Sequence, residues 1–151
     1  MAATSQTRLT GLPRRLVQEG VINESVALEA ETESQKSSTA SIVSYLVEKN
    51  LADAREIAGA ACHEFGVPLL DLDAVEIDLD TARLIDEKLM HKHRVLPLFR
   101  RGRRVFLGVS DPARLQAIDE IKFATGMSIE AIVVEDNKLD AVLARLSEAL
   151  D

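Results

Sequence analysis

The sequence predicts an α+β fold: an N-terminal four-helix unit made of two repeated helical hairpins, then a small α/β sandwich of order helix, strand, strand, helix, strand, helix (αββαβα). Three observations predict it. One helical pattern, with its turn and cap residues, occurs twice in the first part of the chain. Residues 93 to 112 read HRVLPLFRRGRRVFLGVSDP, two apolar runs around a Gly-centred basic turn that pass directly into Ser-Asp-Pro, which is the pattern of a β-hairpin feeding a helix. A helical period, the strand-like MSIEAIVV and a final amphipathic stripe follow.

Taken in order, residues 1 to 10 are small and polar and are expected to form a disordered tail. A first helix is expected from Leu12, with Pro13 tolerated in its first turn and Leu16 and Val17 pointing inward. Gly20 suits the left-handed residue that closes a helix, and Asn23 is a good N-cap for a second helix over residues 24 to 35. The same grammar returns with Leu46 and Val47 for Leu16 and Val17, Asn50 for Gly20, Leu51 for Val21, and Asp53 for Asn23. The polar linker SQKSS joins the two hairpins, and Ile57, Ala58, Ala60 and Ala61 allow close packing in the second. Neither hairpin can bury its apolar face alone, so the helical unit is expected to span residues 11 to 66 as one body.

Gly66 and Pro68 end that unit, and residues 67 to 79 read as an extended linker, with residues 69 to 72 packed along an edge of the second unit. Asp71, Asp73, Asp78 and Asp80 lack the central Gly and terminal Glu of a calcium loop and read as turn and cap residues. The second unit is expected over residues 80 to 151. Asp80 is expected to cap a helix to about His91 that buries Leu84, Ile85, Leu89 and Met90. After the hairpin, Asp111-Pro112 opens a helix that turns Leu115, Ile118 and Ile121 inward and ends at Gly126. MSIEAIVV is the last strand, joined to the second hairpin strand by a right-handed crossover. Asp136 then caps a helix with Leu139, Val142, Leu143, Leu146 and Leu150 on one stripe.

Composition narrows the function. Hydrophobic content of 46% and charged content of 28% fit a soluble globular protein, while 3% aromatics and no Trp demand an aliphatic core. No apolar stretch is long enough to span a membrane and the N-terminus lacks a signal-peptide core, so the chain is expected in the cytoplasm. Cys62, the one cysteine, excludes an internal disulfide and is expected to be a buried thiol. Lys88, Lys92, Arg94, Arg100, Arg101, Arg103 and Arg104 fall in one stretch without an acidic residue, so the remainder carries twice the chain's net charge of −7. Such a basic ridge can attract nucleic acid, anionic lipid or an acidic protein face, or simply protect a sheet edge. The acidic remainder opposes long polyanions, and Phe99 and Phe106 are expected inside, so nucleic acid is not an expected partner.

Catalytic patterns are missing. No glycine begins a phosphate-binding loop, no Ser, His and acid set has local motif support, and Asp119 and Glu120 read as a solvated helix face. His91 and His93 sit at a helix end, where charge complementarity with the helix dipole explains them better than a metal does. No enzyme activity, cofactor or metal is expected of this chain.

The string Lys92-His93-Arg94-Val95-Leu96-Pro97-Leu98-Phe99, then Arg100-Arg101-Gly102, then Phe106-Leu107-Gly108-Val109-Ser110-Asp111-Pro112, resembles the N-terminal domain of type II secretion and type IV pilus assembly ATPases. GLPRRLVQEG is similar to the pilus-extension branch. The resemblance implies a region that precedes a linker and a hexameric motor, which is absent here. It also implies two tasks. Some members bind cyclic di-GMP through an Arg-Leu-Gly opening in each helical repeat. The matching positions are Gly11-Leu12-Pro13 before Gly20, and Ser41-Ile42-Val43 before Asn50, with Arg8, Arg14 and Arg15 nearby. The other task is docking of a PilZ-type regulator protein, which can contact cyclic di-GMP-sensing proteins, together with engagement of inner-membrane components of the pilus assembly machinery. Docking, as control of pilus extension and twitching motility, is the leading expectation, and direct cyclic di-GMP reception is the alternative. The expected location is the cytoplasm, with recruitment to the inner-membrane machinery and no direct membrane insertion. Tyr45, Arg100, Arg101, Arg103 and Arg104 are the candidate partner-binding residues. Core packing for Tyr45 and edge protection for the arginines stand against them.

Overall fold

Helix α1 (Gly11–Gln18) meets α2 (Glu24–Ser34) through Gly20 at φ +74, and α3 (Ile42–Glu48) meets α4 (Ala54–Phe65) through Asn50 at φ +56. Each left-handed residue lets the next backbone N–H return to the preceding turn: Val21 N to Leu16 O and Leu51 N to Leu46 O, both at 2.9 Å. The repeat is thus carried in the backbone. It differs in its caps, because Asn23 Oδ1 accepts from Val26 N at 2.8 Å while Asp53 makes no side-chain cap bond. This computed structural model describes residues 9 to 36 and 41 to 150. Residues 1 to 8 of the expected tail, and Ser37 and Ser38 of the SQKSS linker, lie outside the described residues. Leu9, which the sequence assigned to that tail, is buried in the helical core with Leu12, Leu16, Leu46 and Ile57. Close helix packing rests on Ala27, Ala30, Ala58, Ala60 and Ala61, all buried. Cys62 is half-buried rather than buried, with desolvation raising its thiol pKa.

The second unit contains a three-stranded sheet of order β1-β2-β3, formed by β1 (Val95–Arg101), β2 (Arg104–Val109) and β3 (Ser128–Val133). β1 and β2 pair antiparallel with Arg101 opposite Arg104, and β2 and β3 pair parallel. Helix α7 (Leu115–Thr125) makes the crossover, and the last helix, α8 (Asp136–Leu150), packs on β1 and β2. Val105, Leu107, Ile121, Leu139, Val142 and Leu143 build an aliphatic core between them. Gly108 sits close against this core: a Cβ on it would lie 3.2 Å from Leu98 Cδ1, a tight contact that Leu98 would have to yield to. The extended segment before the second unit docks on β3, with Leu70 N to Val133 O and Val133 N to Pro68 O both at 2.9 Å. Asp71 and Asp73 serve turn geometry and grip Lys138 Nζ at 2.8 and 3.1 Å, which fastens this segment to α8.

Other details of the second unit also depart from the sequence reading. The single helix expected from Asp80 to His91 is two: α5 (Leu79–Ala82) and α6 (Glu87–His93), capped by Asp78 and Asp86. The second cap, Asp86 accepting from Lys88 N at 3.3 Å, restarts the helix after Ile85 has turned into the core. Asp111 does not open α7 directly, because its carboxylate accepts from Ala113 N in a turn and the helix begins later, at Leu115. That delay leaves Leu115 67% exposed, and Ala117 and Ile121 take the inward places. Phe99 is also outside, at 42% exposure, because the register slips between Pro97 and Phe99 and spends the inward position on Leu98.

Candidate functional site

Arg94 adopts the left-handed conformation, φ +52, as the residue that ends α6 before β1. Its Nη2 donates to Asp136 Oδ1 at 3.0 Å and its Nη1 to Asp140 Oδ1 at 3.0 Å. Asp136 is therefore not the N-cap the sequence suggested. It is the first residue of α8, its carboxylate is 3% exposed, and the same Oδ1 accepts from Ser110 Oγ at 2.8 Å and from Ser44 Oγ at 3.3 Å. One oxygen thus gathers donors from the end of α6, the end of β2, and α3 of the helical unit. Burial alone would lower the Arg94 pKa, but the attraction of Asp136 and Asp140 raises it above the ordinary value.

A second bond crosses the same junction. Ser41 Oγ donates to Asp111 Oδ2 at 3.1 Å while accepting from Val43 N at 3.1 Å, which starts α3. Burial raises the Asp111 pKa above the usual carboxylate range, against the opposing pull of Ala113 N and Ser41. Beside it, His93 Nε2 lies 2.7 Å from Glu120 Oε2, and this hydrogen bond is the main reason the Glu120 pKa is lowered. His93 Nδ1 and Arg94 Nε are buried without a hydrogen-bond partner. Both residues line a cavity of about 10 Å³ together with Ser41, Ser44, Ser110 and Asp111, room for about one water molecule. His91 is held elsewhere, its Nε2 2.8 Å from Ser147 Oγ, so the two histidines form no joint site. Among the described residues no cluster of His, Cys, Asp or Glu could hold a metal.

The expected anchors do not come together. Tyr45 is half-buried on α3 against the helical core, and its hydroxyl donates to Glu29 Oε1 at 3.0 Å. Desolvation first, and Glu29 next, raise its pKa. Arg100, Arg101, Arg103 and Arg104 are all exposed at the hairpin turn. Arg100 Nε folds back onto Gly102 O at 2.9 Å, and Arg104 Nε is 3.8 Å from Glu130 Oε1. The turn begins β2, whereas α3 is tied to the far end of β2 through Asp136 Oδ1, which accepts from both Ser44 and Ser110. The two candidate surfaces are separated by the length of that strand, about 17 Å at the usual rise. The ridge is also shorter than the charge count implied, since Arg94 is paired inside and Lys92 Nζ lies 3.6 Å from Glu120.

The two repeat openings differ. At the first, Leu12 is buried, Gly11 has φ +62, Arg14 is exposed, and Arg15 Nε pairs with Glu64 at 3.1 Å. At the second, Ser41 is 6% exposed and committed to Asp111. Arg8 lies outside the described residues.

The MshEN domain family matches residues 65–151, from the last residue of α4 through the whole α/β unit. The chain belongs to the MshEN domain family. This MshEN domain is 39% identical over 142 residues to the type IV pilus assembly ATPase PilB of Pseudomonas aeruginosa, covering 94% of the chain and 25% of that protein. It is 36% identical over 143 residues to PilB of Acinetobacter baylyi, covering 95% of the chain and 24% of that protein. The chain thus spans about a quarter of the length of these relatives, corresponding to their N-terminal region. Among solved structures, "Structure of MshE with cdg" shares its fold at TM-score 0.67 and 20% identity, over 91% of the chain and 99% of that one. The N-terminal domain of XpsE shares it at TM-score 0.68 and 19% identity, over 93% and 94%.

Proposed function

We propose that this MshEN domain is the N-terminal regulatory domain of a PilB-type pilus assembly ATPase and that its input is cyclic di-GMP bound on the helical unit. The observation that carries this reading is the fold shared with MshE, a protein whose structure is described with cdg, along 91% of the chain. Both repeats keep the left-handed turn that shapes each opening, at Gly20 and Asn50. Arg14, exposed at the first opening, is the cation that meets guanine or phosphate. The domain performs no bond chemistry in this role. A ligand seated on the openings reaches the start of α3, where Ser41 and Ser44 hold the α/β unit, so binding stiffens the junction and passes the signal to whatever follows the domain.

A second reading is favoured by one observation. Ser41 stands where an arginine opens the repeat in the ligand-binding pattern, and it is buried and bonded to Asp111. Pro13 stands where that pattern has glycine and has no N–H to offer a ligand. In this reading the signal arrives through a PilZ-type regulator docked near Tyr45, and the domain also engages inner-membrane components of the machinery to control pilus extension and twitching motility. Parallel calorimetric titrations with cyclic di-GMP and with a purified PilZ-type regulator separate the two. Saturable heat from the nucleotide supports direct reception, and heat from the regulator with a silent nucleotide cell supports docking.

A further inference from the structure

The hairpin end of the α/β unit combines cations with aromatic side chains that face water, and the regulatory reading uses neither. Topology gathers them. Helix α7 runs back from the far end of β2 to Gly126, so its last turn returns to the end of the sheet where the hairpin turn lies. There Ser128 N donates to Arg103 O at 2.8 Å, and Arg104, Lys122, Met127 and Ser128 line one shallow hollow. Phe123, in that last turn, is 92% exposed, and Phe99, in the strand leading to the turn, is 42% exposed.

We propose that this end is a peripheral docking surface for an anionic lipid bilayer. Arg100, Arg101, Arg103, Arg104 and Lys122 meet the headgroup phosphates, and Phe123 enters the interfacial layer. Edge protection would explain arginines beside a strand, but it gives no reason for a phenylalanine almost wholly in water on α7. Charge complementarity favours lipid. Among the described residues Glu130 is the one acidic side chain paired at this end, loosely, at 3.8 Å from Arg104, while Asp119 and Glu120 lie a turn further back on α7, with Glu120 held by Lys92 and His93. The rest of the molecule is acidic, so an anionic surface repels the body and attracts this tip, which sets the orientation of approach. Shape favours lipid over a folded acidic partner. The tip is a turn and a helix end, its hollow is shallow, and Phe123 has almost no neighbouring atoms to shield it from water. A fluid interface accommodates an isolated aromatic ring and a handful of guanidinium groups without a matching pocket. No helix among the described residues is long and apolar enough to cross a membrane, so the contact is peripheral.

The absence of Trp from the sequence supplies a direct probe. In Phe123→Trp the new indole reports only this position. The full chain carrying it is titrated with phosphatidylcholine vesicles and with vesicles containing about one-third phosphatidylglycerol, at low and at physiological salt, and the unlabelled chain is co-sedimented in parallel. The expected result is a blue shift and co-sedimentation with the anionic vesicles alone, weakening as salt rises. Arg101→Glu with Arg103→Glu should reduce the bound fraction about tenfold. Phe123→Ser should reduce it several-fold with the melting temperature unchanged. No binding to anionic vesicles at low salt, equal binding to neutral vesicles, or binding insensitive to these substitutions overturns the proposal. Capture by polyglutamate with silent vesicles also overturns it and assigns the tip to an acidic protein. The test is independent of cyclic di-GMP, so its failure leaves the regulatory reading standing.

Discussion

Ser44 Oγ, on α3, donates to Asp136 Oδ1, in the first turn of α8, at 3.3 Å. Because the same oxygen also receives Arg94 and Ser110, the helical unit is bonded to the point where the sheet and the last helix meet. Ser41 and Asp111 make the parallel bond beside it. A ligand on the helical unit therefore has a short physical route to the α/β unit, through the first turn of α3.

Asp136→Ala should be the most damaging single change at this junction. It leaves the Arg94 guanidinium largely buried without its main partner, for which a loss of about 3 kcal/mol is expected. Ser44→Ala removes one neutral donor and should cost about 1 kcal/mol. Urea unfolding of both variants and of the double variant measures the difference and their coupling.

The carboxyl groups beside the junction have opposite pH signatures. Asp111 has a folded pKa above its unfolded value, so the folded state binds its proton more readily, and stability falls as pH rises from the unfolded pKa through the folded one. Asp111→Asn keeps an acceptor for Ala113 N, so it should be neutral or stabilising at pH 7, with the gain shrinking as pH falls. Glu120 has a folded pKa below its unfolded value, so its contribution is present above the ordinary carboxylate pKa and is lost as pH falls through the folded one. Thermal melts of Asp111→Asn and Glu120→Gln from pH 3 to 8, against the parent chain, should differ from it with opposite signs near neutral pH and converge on it as pH falls.

The repeat makes a matched pair of expectations. Asn50→Gly relieves a left-handed backbone that favours glycine and should stabilise by about 1 kcal/mol, whereas Gly20→Ala should destabilise by a similar amount. Leu16→Ala and Leu46→Ala empty equivalent, fully buried positions and should each cost about 3 kcal/mol. Denaturant midpoints of the four variants test whether the two hairpins bear load equally.

Local patterns were legible where their cause was local. Left-handed turns at Gly20 and Asn50, the hairpin around Gly102 and the strand within MSIEAIVV all stand as read, because each is set by a few adjacent residues. The Asp136 junction was not legible, since its donors come from Ser44, Arg94 and Ser110, distant in sequence and ordinary in composition. Arg94 was even counted in the basic ridge, since nothing in its neighbours reveals that it turns inward. Leu115 and Phe99 went wrong for local reasons that periodicity hides: a turn that delays α7, and a bulge that shifts β1 by one residue. Tyr45 and the arginines could be named from residue type, but that they occupy opposite ends of β2 required the topology.

The most direct measurement is calorimetric titration of the chain with cyclic di-GMP, repeated with Arg14→Ala and accompanied by a PilZ-type regulator in a second cell. Saturable heat that Arg14→Ala abolishes, with a thermal stabilisation of about 2.7 kcal/mol at a hundredfold excess over the dissociation constant, is the result expected of direct reception. A silent nucleotide cell beside saturable binding of the regulator would contradict it and place the signal's entry in a protein contact.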